Sequence, residues 1–328
     1  MQNERPRLSP AIADVRRAVR AALNEGELVL VALSGGADSL ALAAATAFEA
    51  TRAGATAGAV IVDHGLQEGS KDAAATARDQ ATALGLNPVV VKTVTVGVDG
   101  GPEAAARTAR YRALSHAATE LGASTVLLGH TLDDQAETVL LGLARGSGAA
   151  SLQGMAAATG IYRRPLLGIR REQTVQFCED SSLTPWHDPQ NDDPAFTRVR
   201  VRTTVLPMLE AELGPGISGA LARTAEQLRE DAAALDHFAE EIAEDLAEHS
   251  EAGISLPVTA LAANPAALRQ RLIRLAVESE FHVALSRSQT LEVARLVTDW
   301  HGQGPIDLPG VKVERHAGLL RFSANETD

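Results

Sequence analysis

From Leu28 to Leu33 the chain reads LVLVAL, an unbroken apolar run that predicts a strand buried on both faces of a parallel sheet. Ser34-Gly-Gly-Ala-Asp-Ser39 interrupts it, and an Ala/Leu-rich helix follows to about Ala53. The alternation then repeats. Strands are predicted over Ala57–Val62, Pro88–Val96 and Ser124–Gly129. Helices are predicted over Ser70–Leu84, over Pro102–Leu121 with proline at its start, and over Asp133–Ala144. Strands alternating with helices predict an α/β domain, a parallel sheet sandwiched by helices in a Rossmann-like arrangement.

The regularity fades past a Gly/Ser loop at Gly142–Gly148. A short helix is expected around Arg171–Glu179, a polar loop over Ser181–Pro194, and a helix from about Arg198 to Glu212. Gly214-Pro215-Gly216 is the best boundary candidate, giving domains of residues 1–215 and 216–328. Beyond it lie one long helix, Ile217–Ser250, two more at Pro265–Glu280 and Ser286–His301, and a closing hairpin of Val311–His316 and Leu319–Ser323. The second domain is thus expected to be smaller and mostly helical. A length of 328 residues suits about two domains. Aromatics are only 3% of the chain, so its cores must rely on Ala, Leu and Val.

Charge narrows the partners. The net charge of −12 argues against a general nucleic-acid coat, which would carry a basic excess. Acidic residues dominate most in residues 216–328, so a polyanion is expected to meet the first part of the chain. Lysine occurs only at 71, 92 and 312, and the other basic residues are all arginine, whose planar fork suits phosphate. A single cysteine, Cys178, excludes an intrachain disulfide and a CxxC metal site. Met1–Arg20 is charged and carries no apolar signal core, and no apolar run approaches membrane-span length. The chain is expected to be soluble and cytoplasmic, with no membrane partner.

Two segments carry chemistry. The first is Ser34–Ser39, which leaves a buried strand, turns through Gly35 and Gly36, and enters a helix through Ala37. A helix start has unpaired N–H groups and partial positive charge, and side-chain-free glycines let a phosphate approach the backbone. Ser34 and Ser39 add hydroxyl donors. Asp38 fits beside phosphate only with a divalent cation between them. Neither GxxxxGK[ST] nor GxGxxG is present. The second segment is Leu128-Gly-His-Thr-Leu-Asp-Asp-Gln-Ala-Glu-Thr138. If its helix begins near Asp133, then Asp134, Glu137 and Thr138 share one face just after His130. Carboxylates at a strand's C-terminal end suit magnesium or a cationic substrate; the plainer alternative is that they stabilise a helix start through its dipole.

SGGADS resembles the pyrophosphate loop of the N-type ATP pyrophosphatases, the PP-loop family. Further blocks are similar to one branch of it, the tRNA(Ile)-lysidine synthetases. These are GHTLDDQAET from Gly129, Val62-Asp63-His64-Gly65-Leu66, AAARTARY over Ala104–Tyr111, Arg163-Arg164-Pro165-Leu166-Leu167, Glu179-Asp180, and DPQNDDPAFTRVRVR over Asp188–Arg202. Gln190 and Val199 depart from the branch's usual Ser and Asn.

The resemblance implies that ATP, with Mg2+ at Asp38, adenylates the carbonyl oxygen on carbon 2 of the wobble cytidine in a CAU-anticodon tRNA(Ile). L-lysine then displaces AMP. Ser34, Gly35, Gly36, Ala37, Asp38 and Ser39 would hold pyrophosphate, with Asp63 and His64 near the adenosine. Arg110 would brace the α-phosphate. His130, Asp134 and Glu137 would form the lysine pocket, and one of the carboxylates could take the amine's proton. Arg163, Arg164, Arg198, Arg200 and Arg202 would face the tRNA, and Arg170 and Arg171 fall in the same Arg-rich stretch; internal salt bridging is the plainer reading of all of them. A homodimer is compatible with the resemblance. Other readings are another tRNA-acting pyrophosphatase, such as a thiolase, or a non-catalytic nucleotide-binding module of the same fold. Paired cysteines would mark the former, and Cys178 stands alone.

Overall fold

The computed structural model describes residues 9–65, 69–97, 101–146, 148–250 and 253–325. Leu66 of the VDHGL block lies outside them. The chain divides into two compact units, Met1–Glu226 and Gln227–Asp328.

Five parallel strands form most of the first sheet: β1 (Leu28–Ala32), β2 (Thr56–Asp63), β3 (Val89–Thr93), β4 (Thr125–Leu127), and the two-residue β6 (Tyr162–Arg163), which follows β5 (Ala158–Thr159). The order is β3-β2-β1-β4-β6-β5, and only β5 runs antiparallel to its neighbour. β1 is apolar throughout because it is covered on both faces. Val29 and Val31 point to a layer containing Leu40, Ala77 and Phe177, whereas Leu30 and Ala32 meet Leu114 and Val126.

The first layer is built by α1 (Pro10–Arg20), α2 (Ala37–Ala53), α3 (Ser70–Ala83) and, further along, α7 (Arg171–Asp180); the second centres on α4 (Pro102–Leu121). Between them in sequence come α5 (Leu132–Ala144) and the short α6 (Ala149–Leu152). The charged N-terminal stretch hides α1. Its Ile12, Val15 and Val19 fall on one face at helical spacing and are buried, while Arg16, Arg17 and Arg20 occupy the other. Arg20 grips the fully buried Glu49 of α2 with two N–H donors, Nε to Oε2 at 2.7 Å and Nη2 to Oε1 at 3.1 Å.

The helix expected from Arg198 is present but not uniform. α8 (Thr197–Arg200) runs through one wide π turn, Val201–Val205, into α9 (Leu206–Leu213). Pro207 has no N–H to give and crowds the turn before it, which accounts for the widened register. The Gly214-Pro215-Gly216 turn ends α9, yet the division between the units falls inside α10 (Ile217–Leu246), because Leu221 packs with Ala136, Val201 and Leu206 of the first unit.

The second unit holds more strand than the sequence suggests. α10 stops at Leu246, and β7 (Glu248–Ser250) begins where helix was expected. β8 (Gly253–Pro257), α11 (Val258–Ala263), α12 (Ala266–Phe281), α13 (Arg287–Thr298) and β9 (Ile306–Leu308) follow. The closing hairpin, β10 (Val311–His316) and β11 (Leu319–Ala324), sits inside an antiparallel sheet of order β7-β8-β11-β10-β9. Ile254 and Leu256 alternate inward beside Leu320 and Phe322, against Leu272, Ile273 and Val293.

Gly58, in β2, has no room for a side chain: a Cβ there would lie 2.5 Å from the Pro88 carbonyl oxygen and 2.9 Å from Leu30 Cδ2. Gly58→Ala is expected to cost about 1–3 kcal/mol. Urea unfolding read against wild type checks this, and an unchanged midpoint would contradict it.

Candidate active site

The site forms where the order reverses between β1 and β4, at the C-terminal ends of both strands, where open α/β sheets bind ligands. β1 ends at Ala32 and α2 begins at Ala37. The turn between them is tied from within. The Ser34 N–H donates to Ser39 Oγ at 3.1 Å, the two serine hydroxyls lie 3.1 Å apart, and Ser39 Oγ donates to the Gly36 carbonyl at 3.0 Å. Gly35 has φ +87°, which an L side chain resists, and its carbonyl accepts from the Trp186 N–H at 2.9 Å. No side chain caps α2, so its first turn presents bare N–H groups and the positive end of the helix dipole.

A cavity of about 340 Å³ opens beside this turn, large enough for a nucleoside. Ser34 and Gly36 line one side, Asp63, His64 and Arg110 another, and Trp186 and Gln190 a third. Asp63 is buried and accepts from the Gly65 N–H at 2.9 Å, which fixes the strand end. His64 Nδ1 is buried with no partner. Burial and Arg110 lower the imidazole's pKa, against Asp63, so the ring is neutral. The Arg110 side chain has no hydrogen-bond or ion-pair partner among the described residues, and burial lowers its pKa. A cation and a ring nitrogen left unsatisfied beside an uncapped helix start are suited to a phosphorylated ligand.

Thr131 caps α5. Its hydroxyl accepts from the Asp134 N–H at 3.4 Å, and Asp134 Oδ2 accepts from the Thr131 N–H at 2.8 Å. Asp134 therefore serves the helix start and still offers Oδ1 to the site. Glu137, one turn on, has no exposed surface. Gly129, in the turn after β4, packs closely on the first turn of α2, since a Cβ there would lie 3.2 Å from Asp38 backbone atoms.

Arg171 and Thr174 join this cluster, although the sequence reading gave them no role in it. From α7, Arg171 donates Nε to Asp38 at 3.2 Å, Nη2 to Asp134 at 2.7 Å and Nη1 to Glu137 at 3.4 Å. Thr174 donates its hydroxyl to Asp38. Arg202, on the π turn, donates Nε and Nη2 to the two Glu137 oxygens at 2.7 and 3.1 Å, and Arg198 lies 3.8 Å from Oε2. Burial pushes the Asp38 carboxyl above its ordinary range, more than Arg171 and Thr174 lower it. Burial would raise Asp134 too, but Arg171, the Thr131 N–H, His130 and Arg202 together hold it below. Burial pulls the His130 imidazole down to about 4, although Asp134 opposes it, and its Nδ1 has no partner.

The five arginines read as RNA-facing divide. Arg198 and Arg202 face Glu137. Arg164 is buried at 7% exposure, donating to the Ala156 carbonyl, Thr159 Oγ1 and Tyr111 Oη, so it holds the loop before β6 and does not stand on the surface. Arg163 donates to the Gly160 carbonyl, and the exposed Arg200 to the Pro194 and Ala195 carbonyls. Val199 is buried, and Gln190 lines the nucleoside-sized cavity.

A phosphate-gripping turn with an adjoining nucleoside-sized cavity defines an ATP-binding domain of the PP-loop class, and residues 11–209 match the family described as the PP-loop domain. Residues 256–321 match the TilS substrate binding domain. A tRNA(Ile)-lysidine synthase of Leifsonia xyli subsp. xyli (strain CTCB07) is 64% identical over 301 residues, 92% of this chain and 91% of its own. One of Thermobifida fusca (strain YX) is 52% identical over 322 residues, 96% and 98% of the two chains. The chain belongs to the tRNA(Ile)-lysidine synthase family. It shares its fold with a solved U34-tRNA thiolase, NcsA from Methanococcus maripaludis, at TM-score 0.58 and 20% identity, over 67% of this chain and 80% of that one.

His130 generates a pH prediction. Its folded pKa lies below the ordinary value of 6.5, so the unfolded chain takes the proton first as pH falls, and stability is lost between pH 6.5 and about 4. His130→Asn removes that share, so its stability should fall less steeply over the window. Urea unfolding at several pH values tests this; parallel profiles would count against it.

Proposed function

We propose that the protein joins L-lysine to carbon 2 of the wobble cytidine of a CAU-anticodon tRNA(Ile), converting ATP to AMP and pyrophosphate through an adenylated tRNA. The observation that carries the reading is the junction of a nucleoside-sized cavity and phosphate turn with a buried carboxylate pair, in a chain of this family. An adenylating site needs the first, and a cationic amino-acid substrate needs the second.

The bare N–H groups of α2, with Ser34 and Ser39, grip the leaving pyrophosphate. Arg110 meets the α-phosphate and stabilises the charge that develops there. Asp63 and His64 border the nucleoside. Asp134 and Glu137 receive the lysine ammonium, with neutral His130 beside them, and one of these groups takes the proton as the amine attacks. Among the described residues no cluster of three acidic or His side chains could hold a metal ion alone. The Asp38 carboxylate, half-buried and paired with Arg171 and Thr174 in the nucleotide-free chain, fits Mg2+ shared with the phosphates of ATP. There the ion would offset negative charge on the departing pyrophosphate. Arg163 and Arg200 are the tRNA-facing candidates. Among the described residues no helix is long and apolar enough to cross a membrane. A place in the cytoplasm follows from the proposed tRNA and ATP substrates.

Incubation with ATP, labelled L-lysine and an unmodified CAU transcript tests the whole reading. Label should enter the RNA with one AMP released per lysine; ADP and orthophosphate as products would overturn it. Asp38→Ala should abolish pyrophosphate release while tRNA binding stays near wild type, and loss of tRNA binding would contradict its place at the phosphates. Glu137→Gln should raise the KM for lysine more than that for ATP, by about tenfold if one charge-assisted contact is lost. Equal changes in both constants would remove Glu137 from the lysine pocket.

A further inference from the structure

Arg171 bridges both halves of the site. Its guanidinium spans Asp38, on the phosphate helix, and Asp134 with Glu137, on the helix of the carboxylate pair. With Arg202 and Arg198 it sets three guanidinium charges against three carboxylates. A lysine ammonium entering this arrangement meets carboxylates already matched by in-chain cations. The backbone N–H of Arg171 donates to Asp133 Oδ2 at 2.7 Å, which fixes the start of α7 while the side chain stays partly exposed. Its guanidinium can therefore move by rotamer change alone. Asp38 lies in the first turn of α2, where the bare N–H groups face phosphate. A bound triphosphate brings more negative charge to that point than Asp38 does, and offers the guanidinium paired oxygens.

We propose that Arg171 exchanges partners during the reaction. In the nucleotide-free enzyme it holds Asp38, Asp134 and Glu137. When ATP binds, it turns to the phosphates and takes its charge away from Asp134 and Glu137, so that the lysine ammonium replaces it at Asp134 Oδ1 while Arg202 stays on the Glu137 oxygens. ATP thus favours lysine binding, and by reciprocity lysine favours ATP by the same factor. The inference rests on Asp134 and Glu137 forming the lysine pocket.

Calorimetric titration of the full chain with L-lysine, with and without saturating α,β-methylene-ATP and Mg2+, tests it. In wild type the lysine Kd should fall about tenfold when the nucleotide is present. Arg171→Gln should bind lysine tightly without nucleotide and show little further change on adding it. A wild-type Kd indifferent to nucleotide would overturn the exchange, as would an Arg171→Gln protein that keeps the tenfold response. Should Arg171→Gln fail to fold, Arg171→Lys keeps the charge but cannot bridge three carboxylates. Its coupling should shrink, and full coupling would overturn the proposal. The pocket assignment fails differently: wild type then binds no lysine in either condition, or Glu137→Gln binds it normally.

Discussion

Three carboxylates meet where two helices begin, and that charge has to be answered. Bringing Asp38, Asp134 and Glu137 together out of water is costly unless each finds a cation or strong donors. The sheet imposes the meeting. β1 and β4 are neighbours, so the helices that follow them start side by side, and Gly129, in the turn after β4, packs closely on the first turn of α2. Arg171 supplies the answer from a third element. Its fork gives separate N–H donors to three acceptors, which a lysine ammonium at the same place could not match in direction.

That solution shapes the chemistry on either side. The phosphate turn is organised by its own serines and by the Trp186 N–H, with no acidic side chain capping the helix, so its N–H groups stay available to an anion. Asp134 is half spent on the Thr131 cap, which orients it, and the remaining oxygen faces the arginines. The imidazoles of His64 and His130 are kept neutral by burial, so they offer hydrogen bonding without adding to the positive charge of Arg110. Groups of opposite sign thus stand on adjoining helix starts, as the proposed cationic substrate and anionic nucleotide require.

Sequence reading recovered what is local. The LVLVAL strand, the SGGADS turn and the helix start near Asp133 are determined by residues within a few positions of one another, and all are found in place. Arg171 escaped because its partners lie 34 to 133 positions away, and an arginine's charge says nothing about which carboxylate it will find. Arg164 and Arg202 sit in the same Arg-rich stretch, yet one is sunk among backbone carbonyls and the other faces Glu137. α1 was hidden by its charged outer face. β8 was missed because two inward residues, Ile254 and Leu256, are too few for a period-2 signal to stand out.

The same accounting bears on how a chain of net charge −12 could hold RNA. Its overall field repels a polyanion, so attraction has to come from cations whose charge is not already cancelled nearby. Arg171 and Arg202 are poor candidates while they face Asp134 and Glu137. Arg200 is different. It is exposed, and its guanidinium N–H groups donate to two carbonyls and the Thr197 hydroxyl, neutral acceptors that steer the guanidinium without removing its charge. Arg163, which donates to the Gly160 carbonyl, is held in the same way. Recognition built on such residues is short in range, because exposed charges farther apart than a Debye length, about 8 Å at physiological salt, are largely screened from one another. An acidic exterior and a local arginine contact are therefore compatible, and the exterior helps to reject RNA that does not place its phosphates at those few points.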